Sequence, residues 1–263
     1  QRQMCIRDSS YGDQLATWRE PRPLVAVAAA EGPTASRTLV VETTDSGVSY
    51  RLVGSEPGPL VRDLPESSPP VPGEEQVAAA VAQVLGAGEG GRTPSEVFAE
   101  HAVSHVVIVS PTDAQRRLVD ASPGLARLGS SAGTITWAVR SDVTGGAVPS
   151  RARLVAGDTS TTVATGAHAD TDGDVDAVGG DTLVVAESLD WSDRAVVRAD
   201  GRRLEAATHS AIPTYELPDD TEDVSIDVGA GHPVWKVGQA LALVLALYLA
   251  LPTERRVDPE EDE

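Results

Sequence analysis

The sequence predicts an α/β domain, then a small all-β domain of the β-sandwich type, then one C-terminal transmembrane helix. Three observations lead to this class. Helical periodicity alternates with short β-branched runs in residues 74–139, short strands follow one another in residues 152–228, and residues 237–251 are almost entirely apolar. We therefore assign the α/β domain to residues 11–148, the β-sandwich to residues 149–230 and the transmembrane helix to residues 234–251.

The α/β domain is predicted from strands and helices that alternate along the chain. Strands are expected at 24–30, 37–42 and 48–53, and a proline-rich linker follows near residues 64–73. Helices are expected at 74–85, at 94–102 and at 113–121, the second opened by a capping box of Thr93 and Glu96. The run HVVIVS at 105–110 is typical of a strand buried on both faces of a sheet, and TITWAV at 134–139 is a further strand.

The second part is predicted to be all-β because its apolar runs are short and separated by turn residues. These predicted strands are 152–155, 182–187, 194–198, 203–207 and 224–228. Asp200 and Gly201 lie between two of them and favour a tight hairpin, since a type I′ turn needs positive φ at both central residues.

The C-terminal run suggests a membrane anchor. As a helix, residues 234–251 would extend about 27 Å, close to the thickness of a bilayer core. Trp235 and Lys236 suit one interface, and Arg255 and Arg256 suit the cytoplasmic one. We expect the charged tail at 252–263 to be cytoplasmic and residues 11–233 to be extracytoplasmic. The alternative is a buried helix of a soluble core.

Composition limits the partners and the origin of the chain. The formal net charge is −19, which disfavours nucleic acid as a partner. Residues 1–10 open with QRQMCIRDS, which resembles the translated read-through of a sequencing adapter in metagenome-derived frames, and we exclude them from the fold. Met4 and Cys5, the chain's sole methionine and cysteine, lie there. We therefore expect a fragment without disulfides.

The order of motifs carries a family resemblance. VSHVVIV, PGLARLGSSAGTITWAV, SRARLV, TLVVAESLDWSDRAVVRADGRRLEAA, PTYELPDD and VWKVGQALALVLALYLALP follow one another over about the last 170 residues. This order resembles the distal part of large actinobacterial multi-pass membrane glycosyltransferases of family 2. The resemblance implies an exported C-terminal region, whose catalytic nucleotide-sugar domain and many membrane helices would precede this segment.

Acidic residues form one candidate metal site. Carboxylates at positions one, three, five, seven and twelve of DTDGDVDAVGGD suggest a weak calcium loop or a hydrated acidic loop; they are Asp170, Asp172, Asp174, Asp176 and Asp181. An EF-hand loop needs glycine at its sixth position, where this chain has Val175. We therefore assign no metal.

Few other residues suggest a catalytic or ligand-binding role. His101 and His105 lie four apart across a predicted helix-to-strand junction, which is a poor arrangement for a metal pair. Trp191 suits either sugar stacking or packing at a strand end. No nucleophile elbow or phosphate loop occurs, so we assign no catalytic residue and no cofactor.

Two functions are consistent with these observations. The first is an extracytoplasmic accessory domain of a membrane glycosyltransferase in cell-envelope glycan synthesis, whose partners are the membrane and an envelope glycan or a lipid-linked sugar. The second is a single-pass, membrane-anchored surface protein with a non-enzymatic binding domain.

Overall fold

The computed structural model describes residues 23–44, 47–54, 74–88, 91–131, 133–140, 148–166, 168–177, 180–207, 211–229 and 241–243. Internal contacts divide the chain into two units, Gln1–Val228 and Gly229–Glu263. In the second unit the described residues are Gly229 and 241–243, and the latter are helical.

The first unit is mostly β structure. Its described helices are α1 (Leu24–Glu31), α2 (Glu74–Val84), α3 (Pro94–Glu100), α4 (Asp113–Ala121) and α5 (Leu189–Ser192). Its thirteen described strands are β1 (Arg37–Thr44), β2 (Gly47–Val53), β3 (Val103–Val109), β4 (Leu125–Ser131), β5 (Thr134–Val139), β6 (Ala152–Ala156), β7 (Thr159–Val163), β8 (Val175–Asp176), β9 (Thr182–Val185), β10 (Ala195–Ala199), β11 (Arg202–Arg203), β12 (Thr214–Glu216) and β13 (Asp223–Val228).

The strands form three sheets. The first has the order β2-β1-β3-β5-β4, in which β1 and β3 run parallel and the other neighbours run antiparallel. The other two sheets are antiparallel, with the orders β11-β10-β13-β8 and β12-β9-β6-β7. Antiparallel pairing therefore dominates the described chain.

The predicted fold class, α/β plus all-β with a C-terminal transmembrane helix, is wrong. The described residues form a mostly β structure with three sheets and few helices, because β2, β4 and β5 join the first sheet as antiparallel partners and β1 with β3 is its one parallel pair of neighbours. Among the described residues, no helix has both the length and the apolar character needed to cross a bilayer. Apart from 241–243, the predicted span at 234–251 lies outside the described residues.

One predicted strand is a helix. Residues 24–30 suggested a strand because of their valines, but they form most of α1, which follows Pro23. Alanine has the highest intrinsic helix propensity, and proline is well tolerated at a helix start. Ala26, Ala29 and Ala30 form its buried side, and α1 contacts β1 and β3. Small side chains thus allow the helix to approach the sheet closely.

The predicted capping box also lies elsewhere. Thr93 is the N-cap of α3, but its side chain makes no capping hydrogen bond. The box forms at α4, where the Thr112 hydroxyl accepts from the Gln115 backbone N–H at 3.2 Å. In return, Gln115 Oε1 accepts from the Thr112 backbone N–H at 2.9 Å. Helix α4 begins and ends at the predicted residues 113 and 121.

Two apolar cores lie within the first unit. One is formed by helices α2, α3 and α4 against the five-stranded sheet, and it includes Phe98, Ile108 and Trp137. The other is shared by the two four-stranded sheets and includes Leu183, Trp191 and Ile226. The assigned boundaries at 11–148 and 149–230 remain predictions, since both cores belong to one compact unit.

Candidate functional site

The strongest cluster of charged side chains is buried between the two cores. Arg37 opens β1, Arg151 precedes β6 and Glu187 follows β9. The two carboxylate oxygens of Glu187 each bind one guanidinium, with Arg37 Nη2 and Arg151 Nη1 both at 2.7 Å. The arginine side chains are each 8% exposed and the glutamate side chain is 13% exposed. We call Arg37, Arg151 and Glu187 the arginine–glutamate cluster.

Backbone groups complete this cluster. The Arg37 guanidinium also donates to the carbonyls of Ala186 and His101, and Arg151 Nε donates to the Ala35 carbonyl at 2.9 Å. Buried charges are tolerated only when they are paired and hydrogen-bonded. Because both oxygens of Glu187 are occupied, its carboxylate is a structural link and a poor candidate for a general base.

His101 lies next to this cluster, at the C-terminal end of α3. Its Nδ1 donates to the Val97 carbonyl at 2.8 Å, whereas its Nε2 has no hydrogen-bond partner among the described residues. Burial lowers the pKa of His101, and the nearby guanidinium groups of Arg37 and Arg153 lower it further, against the opposing effects of the hydrogen bond to Val97 and of Glu100. The imidazole is therefore neutral in the folded chain near pH 7.

Arg153 is a third buried guanidinium near His101. Its Nη1 donates to the Glu100 carbonyl at 3.5 Å, whereas its Nε has no partner among the described residues. Desolvation lowers the pKa of Arg153. The neighbourhood of His101 is therefore rich in cations, which further disfavours imidazolium.

His105 makes a hydrogen bond that resembles a nucleophile–base pair. Ser104 Oγ lies 2.9 Å from His105 Nδ1 and 2.8 Å from Ser36 Oγ. Burial lowers the pKa of His105, so the imidazole is neutral. However, Ser104 is only 3% exposed, which is unfavourable for attack on a substrate carbonyl. The pair therefore serves to satisfy buried polar groups.

The two histidines do not form a metal pair. His101 binds Val97 on its own helix, whereas His105 lies on β3 and binds Ser104. Within the described residues, no three histidine, cysteine, aspartate or glutamate side chains are arranged to hold a metal ion. This finding also covers the acidic loop, whose members are Asp170, Asp172, Asp174, Asp176 and Asp181. Asp176 pairs with Asp223 in neighbouring strands.

Trp191 packs inside the second core. It is 3% exposed, and its indole N–H donates to the His168 carbonyl at 2.9 Å. An indole face buried in this way is not presented to a sugar ring. Trp191 is a core side chain, as in the alternative, but it lies in the short helix α5 and not at a strand end. The predicted anchor residues Trp235, Lys236, Arg255 and Arg256 lie outside the described residues.

A concave site lies where β3 ends, and we call it the serine pocket. Its volume is about 490 Å³. Its walls come from the residues after β3, from helix α4 and from the β4–β5 hairpin. The lining residues are Ser110, Pro111, Arg116, Ser130, Ser131, Gly133, Thr134 and Ile135.

Hydrogen bonds to backbone carbonyls connect the walls of the serine pocket. The Ser110 N–H donates to the Gly133 carbonyl at 2.7 Å, which ties the end of β3 to the hairpin turn. Ser110 adopts a φ of +49°, which is uncommon for a residue other than glycine, asparagine or aspartate. The Thr134 hydroxyl donates to the Ser131 carbonyl at 2.6 Å and fixes the turn. Positively charged Arg116 forms an ion pair with Asp113 one helical turn away.

A second cavity, of about 460 Å³, lies in the second part of the unit. Asp193, Arg203 and Glu205 give it charges of both signs, and Tyr215 lines it as well. Burial raises the pKa of the Tyr215 phenol, which is therefore a neutral hydroxyl at physiological pH.

The arginine–glutamate cluster and the serine pocket were both missed by the sequence predictions. The only sequence signal for the cluster is that Arg37 and Arg151 lie at the ends of otherwise apolar strands. Solvent-exposed arginines are also common at strand ends. The serines of the pocket lie on separate elements, and their convergence depends on the pairing of β3 with β5.

Comparisons with known proteins give no assignment. No protein-family model matches the chain, and neither a curated protein nor a solved structure matches it. The resemblance to membrane glycosyltransferases therefore remains a prediction from the order of sequence motifs.

Proposed function

We propose that the chain is a non-catalytic, extracytoplasmic accessory region of a membrane glycosyltransferase, and that it helps to hold a growing cell-envelope glycan or its lipid-linked precursor. The order of the sequence motifs supports the link to such an enzyme. Catalysis would take place in another part of the same protein.

The observation that carries the proposal is the pairing of one buried carboxylate with two buried arginines. Arg37 and Arg151 both bind Glu187, and this contact joins β1 of the five-stranded sheet to the ends of β6 and β9. Backbone bonds add to it, since Arg151 N–H donates to the Thr34 carbonyl at 3.1 Å and Thr165 N–H to the Pro33 carbonyl at 3.0 Å. These contacts favour a rigid platform over two bodies that close on a substrate.

Co-sedimentation tests the proposal. The purified chain is mixed with insoluble envelope polysaccharide from an actinobacterium, and the bound fraction is measured after centrifugation. We expect saturable binding without release of free sugar. Absence of binding, or release of reducing sugar by the purified chain, would contradict the proposal, and the second result would point to a hydrolase.

Two variants separate the effect of the arginine–glutamate cluster from that of a surface charge. Glu187→Gln weakens the arginine–glutamate cluster, and we expect it to reduce saturable binding at temperatures where the variant is partly unfolded. Asp220→Asn alters an exposed pair with Arg202 whose side chains are 70% and 66% exposed, so it should bind as the unchanged chain does.

A further inference from the structure

We propose that the serine pocket binds one hexose-sized unit of a neutral glycan. This inference rests on the proposed function, for which it names the ligand and the place of contact. The pocket is an open depression with a volume of about 490 Å³, within the range of roughly 300–1,000 Å³ that is usual for small-ligand sites.

The hydroxyl groups of the pocket are available to a ligand. Ser110, Ser130 and Ser131 are exposed. In the described part of the chain, their hydroxyls have no hydrogen-bond partner, in contrast to Thr134. Each serine hydroxyl can donate one hydrogen bond and accept two. A sugar carries the same combination of donors and acceptors on adjacent carbons, so one ring can satisfy several of these groups together.

Charge favours a neutral ligand over an anion. Arg116 is the cation that lines the pocket, and its guanidinium is already ion-paired with Asp113. The chain also carries a formal net charge of −19, which repels anions. No carboxylate is among the lining residues, so a cation would find only hydroxyl and carbonyl oxygens. A neutral polyol is the class that uses all of these groups.

The pocket also offers a small apolar surface. Pro111 and Ile135 contribute it, and Ile135 is 8% exposed. A pyranose ring has one face of C–H groups and an edge of hydroxyls. The apolar residues suit the C–H face, while the serines and the Arg116 guanidinium suit the hydroxyls. This division of the walls distinguishes a sugar from an ion with polar groups on every side.

Nuclear magnetic resonance of the whole ¹⁵N-labelled chain tests the inference. Methyl α-D-glucopyranoside, methyl α-D-mannopyranoside and methyl β-D-galactopyranoside are titrated separately, with sodium phosphate as the anionic probe. We expect at least one glycoside to shift the backbone amide signals of Ser110 and Gly133, with a dissociation constant of about 1–10 mM. Phosphate should leave these signals unchanged at constant ionic strength.

Paired variants locate the binding. Ser110→Ala with Ser131→Ala removes two pocket hydroxyls, and we expect affinity to fall about tenfold because each lost hydrogen bond weakens binding severalfold. Ser49→Ala is the control, since it removes an exposed serine hydroxyl from strand β2 that does not line the pocket. Urea unfolding of both variants checks that they fold, and equal midpoints are expected.

Three results would overturn the inference: no glycoside shifts these signals, phosphate shifts them instead, or the double variant binds with unchanged affinity. Co-sedimentation with envelope polysaccharide separates this failure from failure of the proposed function. If the chain still binds the polysaccharide, the glycan contacts another surface and only the pocket assignment fails. If a glycoside binds the pocket but the polysaccharide does not bind, the accessory function fails.

Discussion

Replacement of Glu187 by glutamine is the change that most sharply tests how the first unit is held together. The variant leaves Arg37 and Arg151 with side chains 8% exposed and no counter-charge at either 2.7 Å contact. Removing one partner from a buried ion pair typically costs about 3–5 kcal/mol. Small domains have free energies of unfolding of about 5–15 kcal/mol, so the expected loss is a large fraction of the total.

The assay is urea unfolding followed by circular dichroism at pH 8, with the free energy of unfolding extrapolated to water. Asp220→Asn is the control, because Arg202 and Asp220 form an exposed pair at 3.0 Å that should contribute less than about 1 kcal/mol. A triple change of Arg37 and Arg151 to Met and Glu187 to Leu should recover part of the loss by removing all three charges. A loss below about 1 kcal/mol for Glu187→Gln would refute the reasoning.

Three other predictions concern substitutions of single residues. Because burial lowers the pKa of His101 below its ordinary value of 6.5, the unfolded chain takes up the proton first, so the contribution of His101 to stability should be full above pH 6.5 and fall as the pH drops. His101→Asn should flatten this pH dependence in thermal melts between pH 8 and pH 5, and an unchanged slope would contradict the prediction. Gly124→Ala should lower the free energy of unfolding by more than about 2 kcal/mol, since the φ of Gly124 is +76° and an added Cβ would lie 2.5 Å from a backbone carbonyl oxygen. The control Gly129→Ala, with open space around the new Cβ, should cost less than about 1 kcal/mol in the same urea assay. Asp120→Ala should lower the free energy of unfolding by about 1–3 kcal/mol because it leaves the buried Trp137 indole N–H without its acceptor at 2.9 Å. Asp120→Asn keeps an acceptor oxygen and should lower it clearly less. Equal losses for the two variants would show that this hydrogen bond does not explain the effect.

Local signals in the sequence predicted several elements well. Helix α4 has the predicted bounds because its polar and apolar residues alternate at helical spacing and its N-terminus has strong capping residues. The Asp200–Gly201 turn also forms as predicted, with φ values of +47° and +76° at the two residues and β10 paired with β11. Both features depend on residues close together in the chain, which is the range over which propensity acts.

Other features depended on tertiary contacts and were not predictable in this way. Residues 24–30 are apolar on every side, so periodicity did not separate a buried strand from a buried helix. The sheet class was missed because the alternation of helix and strand does not reveal strand direction, and β5 pairs antiparallel to β3. Parallel and antiparallel neighbours have the same local pattern when both faces are covered.

The sites were harder to predict than the elements. Glu187 binds two arginines that are far from it in sequence, and no spacing rule connects the three residues. The four-residue spacing from His105 drew attention to His101, but only its burial and its bond to Val97 reveal that it is a neutral structural group. For the serine pocket, common surface residues acquire significance only through their convergence at the end of β3.

Long-read sequencing of the source DNA upstream of residue 11 tests the central claim most directly. The accessory-region account predicts an open frame with a series of hydrophobic spans, preceded by a nucleotide-sugar transferase domain. A frame that instead begins with a secretory signal peptide within about 30 residues of that position would contradict the account. The second result would replace it with a secreted or surface-attached binding protein that acts without a linked transferase.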